Sequence, residues 1–181
     1  EVSGSMNGFF RSNKATRFKR DVWSIVSNFG GNDVCVLSNA GTVAGVYPVN
    51  DFRSRMNSGR FVSNQETLVP TMLKSILSNL NYNDGQCAIL ISDMKYSPVS
   101  QQDVQVLLTQ YQTDIRNVIG QYPGLAVSLV MAKSDFLAAN GAIKENNSPY
   151  YFLILGKDQN VAFMRNCIAT ILEDNASYGD C

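Results

Sequence analysis

Buried-type strands alternating with amphipathic helices predict an α/β domain in three layers, with a mainly parallel sheet and one antiparallel edge strand. Three observations carry that expectation. Near-continuous apolar runs of strand length stand at 87–92, 125–131 and 150–155, the pattern of strands covered on both faces. Apolar stripes at helical spacing separate them at 68–80 and 104–119. A shorter β-prone pair at 34–37 and 42–49 has Pro48 near its end, which suits an edge. At 181 residues the chain has room for one domain with a sizeable core.

Taken in order, Phe18, Val22, Ile25, Val26 and Phe29 recur at helical spacing until Gly30 and Gly31 stop the run. Arg11, Lys14, Arg17, Lys19 and Arg20 around its start read as a solvated helix face, because no Gly-rich phosphate loop or interleaved aromatics accompany them. The segments 34–37 and 42–49 read as a hairpin turning at Ser38-Asn39-Ala40-Gly41. Polar, Gly/Ser-rich 50–64 reads as an irregular connection. Leu68, Met72, Leu73, Ile76, Leu77 and Leu80 predict a helix from about Thr67, with Pro70 in the first turn where its missing N–H costs little. Ser100 and Asp103 form a capping-box pattern before a helix carrying Val104, Leu107, Leu108, Tyr111, Ile115, Val118 and Ile119, closed by Gly120 and Pro123. Residues 134–140 read as a short helical turn ended by Gly141. A last helix carries Val161, Met164, Ile168, Ile171 and Leu172, so the domain spans 1–173 and 174–181 reads as a frayed tail.

Composition narrows the chemistry. The absence of histidine removes His-based triads, His-ligated zinc and His pH switches. Fifteen basic and fifteen acidic residues cancel, so no global field draws nucleic acid or acidic lipid. No stretch is long and apolar enough for a membrane span. Four widely spaced cysteines lack a C-x-x-C pair. Cys35 and Cys87 read as buried small hydrophobes, while Cys167 and Cys181 are free to pair if the protein is exported. The compartment stays open, with an extracytoplasmic setting the marginally better fit. Walker, G-x-G-x-x-G and G-x-S-x-G patterns are absent.

What remains is oxygen chemistry at predicted strand ends and helix starts. Glu1-Val2-Ser3-Gly4-Ser5-Met6, Ser63 to Thr67, and Ser92-Asp93-Met94 offer hydroxyls from Ser3, Ser5 and Thr67 and carboxylates from Glu1 and Asp93. Such hard ligands suit Mg²⁺, Mn²⁺ or Ca²⁺. No spacing argument pairs Asp93 with Asp51 or Asp135. Tyr96, Tyr150 and Tyr151 beside Pro98 and Pro149 read as ordinary aromatics at strand and loop boundaries.

The run Glu1-Val2-Ser3-Gly4-Ser5-Met6 resembles the D-x-S-x-S signature of von Willebrand factor type A (vWA) domains. The resemblance implies a three-layer Rossmann-like fold from Ser3 to Leu172, with a central first strand belonging ahead of Glu1 and not included in these residues. It also implies a metal-ion-dependent adhesion site (MIDAS). Ser3 and Ser5 would be hydroxyl ligands, Thr67 the threonine before a helix, Asp93 the aspartate ending a strand, and Glu1 the replacement for the first aspartate. Met94 stands where the family has glycine. The implied function is a module that coordinates Mg²⁺ and engages an exposed carboxylate of a protein or peptide partner, with no nucleic-acid role. Two alternatives stand beside it: a metal-free scaffold of the same fold, and a metal-assisted hydrolase whose base would be Glu1, Asp93 or Lys95.

Overall fold

The computed structural model describes residues 1–177 other than 12, 32, 39–41, 62, 64–66 and 96–103. The turn at 39–41, the Ser100–Asp103 capping pattern, Tyr96, Pro98 and Cys181 therefore lie outside the described residues. The apolar residues Val2, Met6, Phe9 and Phe10 bury themselves at the start of the chain. A short 3-10 turn at Gly4–Met6 leads into α1 (Asn7–Phe10), whose Phe9 ring stacks on Phe18 and meets Phe136 and Tyr150 edge-on. α2 (Arg17–Phe29) opens with the Thr16 side chain accepting from the Lys19 N–H and buries the predicted stripe. β1 (Asp33–Leu37) and β2 (Val43–Pro48) pair antiparallel, with Pro48 as the last strand residue.

Residues expected to be irregular after β2 instead form α3 (Val49–Asn57). Only Phe52 and Met56, one turn apart, carry its buried face, too short a stripe to stand out in polar sequence. Arg53 and Arg55 on its outer side lie over the rings of Trp23 and Tyr47. α4 (Val69–Asn79) starts two residues later than the periodicity suggests, with Pro70 in its first turn. It is followed by β3 (Ala88–Ser92), α5 (Val104–Gly120), β4 (Ala126–Leu137), β5 (Ile143–Gly156) and α6 (Asp158–Ser177). α6 thus continues past the point where its apolar stripe ends.

The sheet overturns the predicted architecture. Among the described residues there is no mainly parallel Rossmann-like sheet: β1 and β2 form one small sheet, β3-β5-β4 another, and every pairing is antiparallel. Near-continuous apolar runs say nothing of direction, and the run at 125–131 is not covered on both faces, since Val127, Leu129 and Met131 of β4 are exposed. β5, by contrast, is covered on both. Its Tyr150, Phe152 and Ile154 enter one core with α2 and α6 residues, while Leu153 and Leu155 enter a second with α4 residues. The stretch 134–140, expected as a helical turn, is strand as far as Leu137 and then a tight turn with Gly141 at φ +79°. A connection that short cannot carry a parallel crossover, so the two strands must run antiparallel. Asn140-Gly141 was the available hairpin signal.

Candidate functional site

Three pieces of backbone converge at the carboxyl end of β3. Ser3 immediately precedes the 3-10 turn, so its side chain and that of Ser5 lie along one short bend. Thr67 comes two residues before α4 and has no solvent exposure. Asp93 follows the last residue of β3. Paired hydrogen bonds hold the Ser63 region beside α1, the Ser63 N–H donating to Asn7 Oδ1 at 2.8 Å.

The structure brings all five predicted residues together. Ser3 Oγ lies 2.6 Å from Thr67 Oγ1 and 3.0 Å from Ser5 Oγ, and Ser5 Oγ lies 2.8 Å from Thr67 Oγ1. The Ser5 hydroxyl donates to Asp93 Oδ1 at 2.9 Å. The Glu1 carboxylate folds back on its own chain, accepting the Ser3 N–H at 2.7 Å and the Ser3 hydroxyl at 3.3 Å. The extra methylene relative to aspartate is taken up in that bend. Ser92, which sequence reasoning assigned no role, donates to Glu1 Oε1 at 3.1 Å and accepts the Met94 N–H at 2.9 Å.

Asp93 is the most constrained member. Its Oδ1 also accepts the Lys95 N–H at 3.1 Å. Oδ2 is buried without a hydrogen-bond partner and has Lys95 Nζ at 4.0 Å. Burial raises the Asp93 pKa above its ordinary value, opposed by the Lys95 N–H and the Ser5 hydroxyl; the Glu1 charge adds to the rise, and Lys95 opposes it. Met94 holds φ +55°, a left-handed conformation that favours glycine.

The donor set fits a small hard cation. Three neutral hydroxyls lie within hydrogen-bonding reach of one another and one of them bonds the Asp93 carboxylate, whose other oxygen has no hydrogen bond, with the Glu1 carboxylate beside them. Among the described residues no group of three or more His, Cys, Asp or Glu side chains is arranged to hold a metal, so any ion here depends on the hydroxyls.

Other expectations fare differently. Lys19 is buried, which lowers its pKa, so the basic stretch is only in part a solvated face: Lys14 is exposed and Arg11, Arg17 and Arg20 are partly so. Arg17 and Arg20 reach across to the carbonyls of Leu172 and Asn175 on α6. Tyr150 is fully buried and donates to Asp21, which Asn175 also donates to at 2.8 Å. This polar knot joins α2, β5 and α6. Cys35 is exposed and Cys87 half-buried, because the strand edges that carry them face an open groove. No described helix is long and apolar enough to cross a membrane.

No protein-family model, curated protein or solved structure matches this chain.

Proposed function

We propose that the chain is a vWA-like binding module that holds one divalent cation at a MIDAS-like site made by Glu1, Ser3, Ser5, Thr67 and Asp93, and presents it to a carboxylate of a protein or peptide partner. The observation that carries this reading is the hydroxyl triad within 3.0 Å against Asp93, whose Oδ2 is buried without a hydrogen bond. Burying an ionised oxygen with no hydrogen bond and only the distant, half-exposed Lys95 ammonium beside it is costly, and a bound cation would remove that cost. Hydroxyls contribute no charge, so an ion held mainly by them keeps its attraction for an incoming carboxylate. The Glu1 carboxylate, engaged by Ser3 and Ser92, positions the serine bend and sits beside the ion.

The assay is calorimetric titration of Mg²⁺ into the wild-type chain and into Asp93→Ala. The wild type should give a saturable heat that Asp93→Ala loses, and a peptide rich in glutamate should bind only when Mg²⁺ is present. Equal isotherms for the two chains end the metal reading, and peptide binding that ignores Mg²⁺ ends the carboxylate reading.

A further inference from the structure

β4 is the outer strand of its sheet. Among the described residues it pairs with β5 alone, in an unbroken register from Ala126 opposite Gly156 to Ser134 opposite Ser148, and its other edge has no strand partner. Exposed edges are usually blunted by a proline, a charge or a bulge. β2, an outer strand of the other sheet, ends in Pro48. On β4 the register shifts only after Ser134 and the first charge is Lys133, so 126–132 carries none of the three.

Side chains on this stretch are exposed where a core strand would be covered. Val127, Leu129 and Met131 alternate along one face and keep 38%, 51% and 54% of their surface in solvent. Toward β5 each has a cross-strand neighbour, Leu155, Leu153 and Tyr151 in turn. Toward the outer edge none of the described strands supplies one. One flank of the apolar row is filled and the other is bare.

We propose that β4 is a self-association edge, on which a second copy of this chain lays its own β4 antiparallel about a two-fold axis through Leu129. In that register Leu129 faces Leu129, Val127 faces Met131, and each row gains the apolar flank it lacks. The strand is its own complement, uncharged from 126 to 132 and apolar at each of the three exposed positions. Charge agrees with a second copy in this direction. Antiparallel pairing carries the two Lys133 side chains to opposite ends of the paired segment, about 27 Å apart, whereas parallel pairing would set them side by side. The zero net charge of the chain leaves no long-range repulsion between copies. Residues 125–133, along a sheet edge about 10 Å deep, bury roughly 300 Å² per copy. A stable dimer takes about 800 Å² per partner, so this pairing is weak and reversible, with a dissociation constant on the order of 100 μM. It involves none of Glu1, Ser3, Ser5, Thr67 and Asp93, and holds whether or not they bind a cation.

Sedimentation velocity on the full chain, from about 5 to about 500 μM, should show a monomer–dimer equilibrium. Leu129→Lys puts two ammonium groups face to face on the axis and Leu129→Glu two carboxylates, so each variant alone should associate at least about tenfold more weakly than the wild type. An equimolar mixture of the two should associate within about threefold of the wild type, because lysine then faces glutamate. Position 129 is half exposed, and circular dichroism checks that both variants stay folded. Hydrogen exchange, read on the wild type itself, should slow at the amides of 126–132 as the protein is concentrated. A wild type that stays monomeric throughout the range overturns the proposal, as does association that both variants keep unchanged. A mixture no stronger than either variant alone overturns the two-fold register. Protection confined to another surface overturns the edge.

Discussion

Replacing Thr67 by valine keeps the side-chain shape and removes one hydroxyl at a position with no solvent exposure. That hydroxyl lies 2.6 Å from Ser3 Oγ and 2.8 Å from Ser5 Oγ. With the Ser5 proton on Asp93 and the Ser3 proton on Glu1, Thr67 carries the one proton left to the triad, so one neutral hydrogen bond disappears with it. At a net contribution of about 0.5–1.5 kcal/mol, that is the expected loss. For a chain of this size that corresponds to a fall in Tm of about 1–6 °C. Urea unfolding measured without metal reads this term alone. Repeating it in Mg²⁺ reads the cation: an ion at a hundred times its Kd stabilises the wild type by about 2.7 kcal/mol, and Thr67→Val should lose most of that increment. A metal-free loss below about 0.5 kcal/mol would show that the hydroxyl triad is not formed as described. An unchanged Mg²⁺ increment would show that Thr67 is not a ligand.

Lys95 competes with the cation for Asp93, its ammonium 4.0 Å from the unbonded oxygen and half exposed. Lys95→Ala should therefore tighten Mg²⁺ binding by calorimetry, by about threefold to fivefold for a screened charge at this distance, and a weakening would place Lys95 on the binding side. Asp21 has its pKa raised by burial, opposed in turn by the bonds from Tyr150 and Asn175 and by the charges of Arg17 and Arg20. The folded state then holds the proton more tightly than the unfolded one. Relative to Asp21→Asn, the wild type should gain stability as pH falls from the raised value toward 3.8 and show a constant difference below it. Chemical denaturation across pH 3–7 checks the sign, and a difference that grows with rising pH contradicts it. A Cβ on Gly8 would meet the Phe136 ring at 2.3 Å. Gly8→Ala should cost about 1–3 kcal/mol in urea unfolding unless that ring swings clear, and a neutral result would show that it does.

Much of the secondary structure was legible because burial imprints itself on spacing. The stripe from Phe18 to Phe29 became α2, the run ending at Ser92 became β3, and Pro48 marked the end of an edge strand. Elements resting on very few buried residues were not legible, as α3 shows with Phe52 and Met56 alone. Strand direction was lost for a different reason. An apolar run looks the same whether its neighbour is parallel or antiparallel, and the deciding signal, Asn140-Gly141, equally suits the end of a helical turn. Within the site, residue types and their places beside elements drew attention to Glu1, Ser3, Ser5, Thr67 and Asp93. Ser92 escaped because a serine ending a strand has no distinguishing pattern, and its part rests on distance to Glu1.

The sequence by itself determined the kind of chemistry open to this protein. Without histidine, with balanced charge and with hydroxyls and carboxylates at element ends, oxygen ligation is what its side chains can offer. Tertiary structure decided everything that depends on approach: that residues 64 and 88 positions apart along the chain come within 3 Å, that Asp93 keeps one oxygen without a hydrogen bond, and that the described strands pair antiparallel in two small sheets. Composition and periodicity act along the chain, whereas coordination and edge pairing depend on distances across it, and only the packed cores fix those distances.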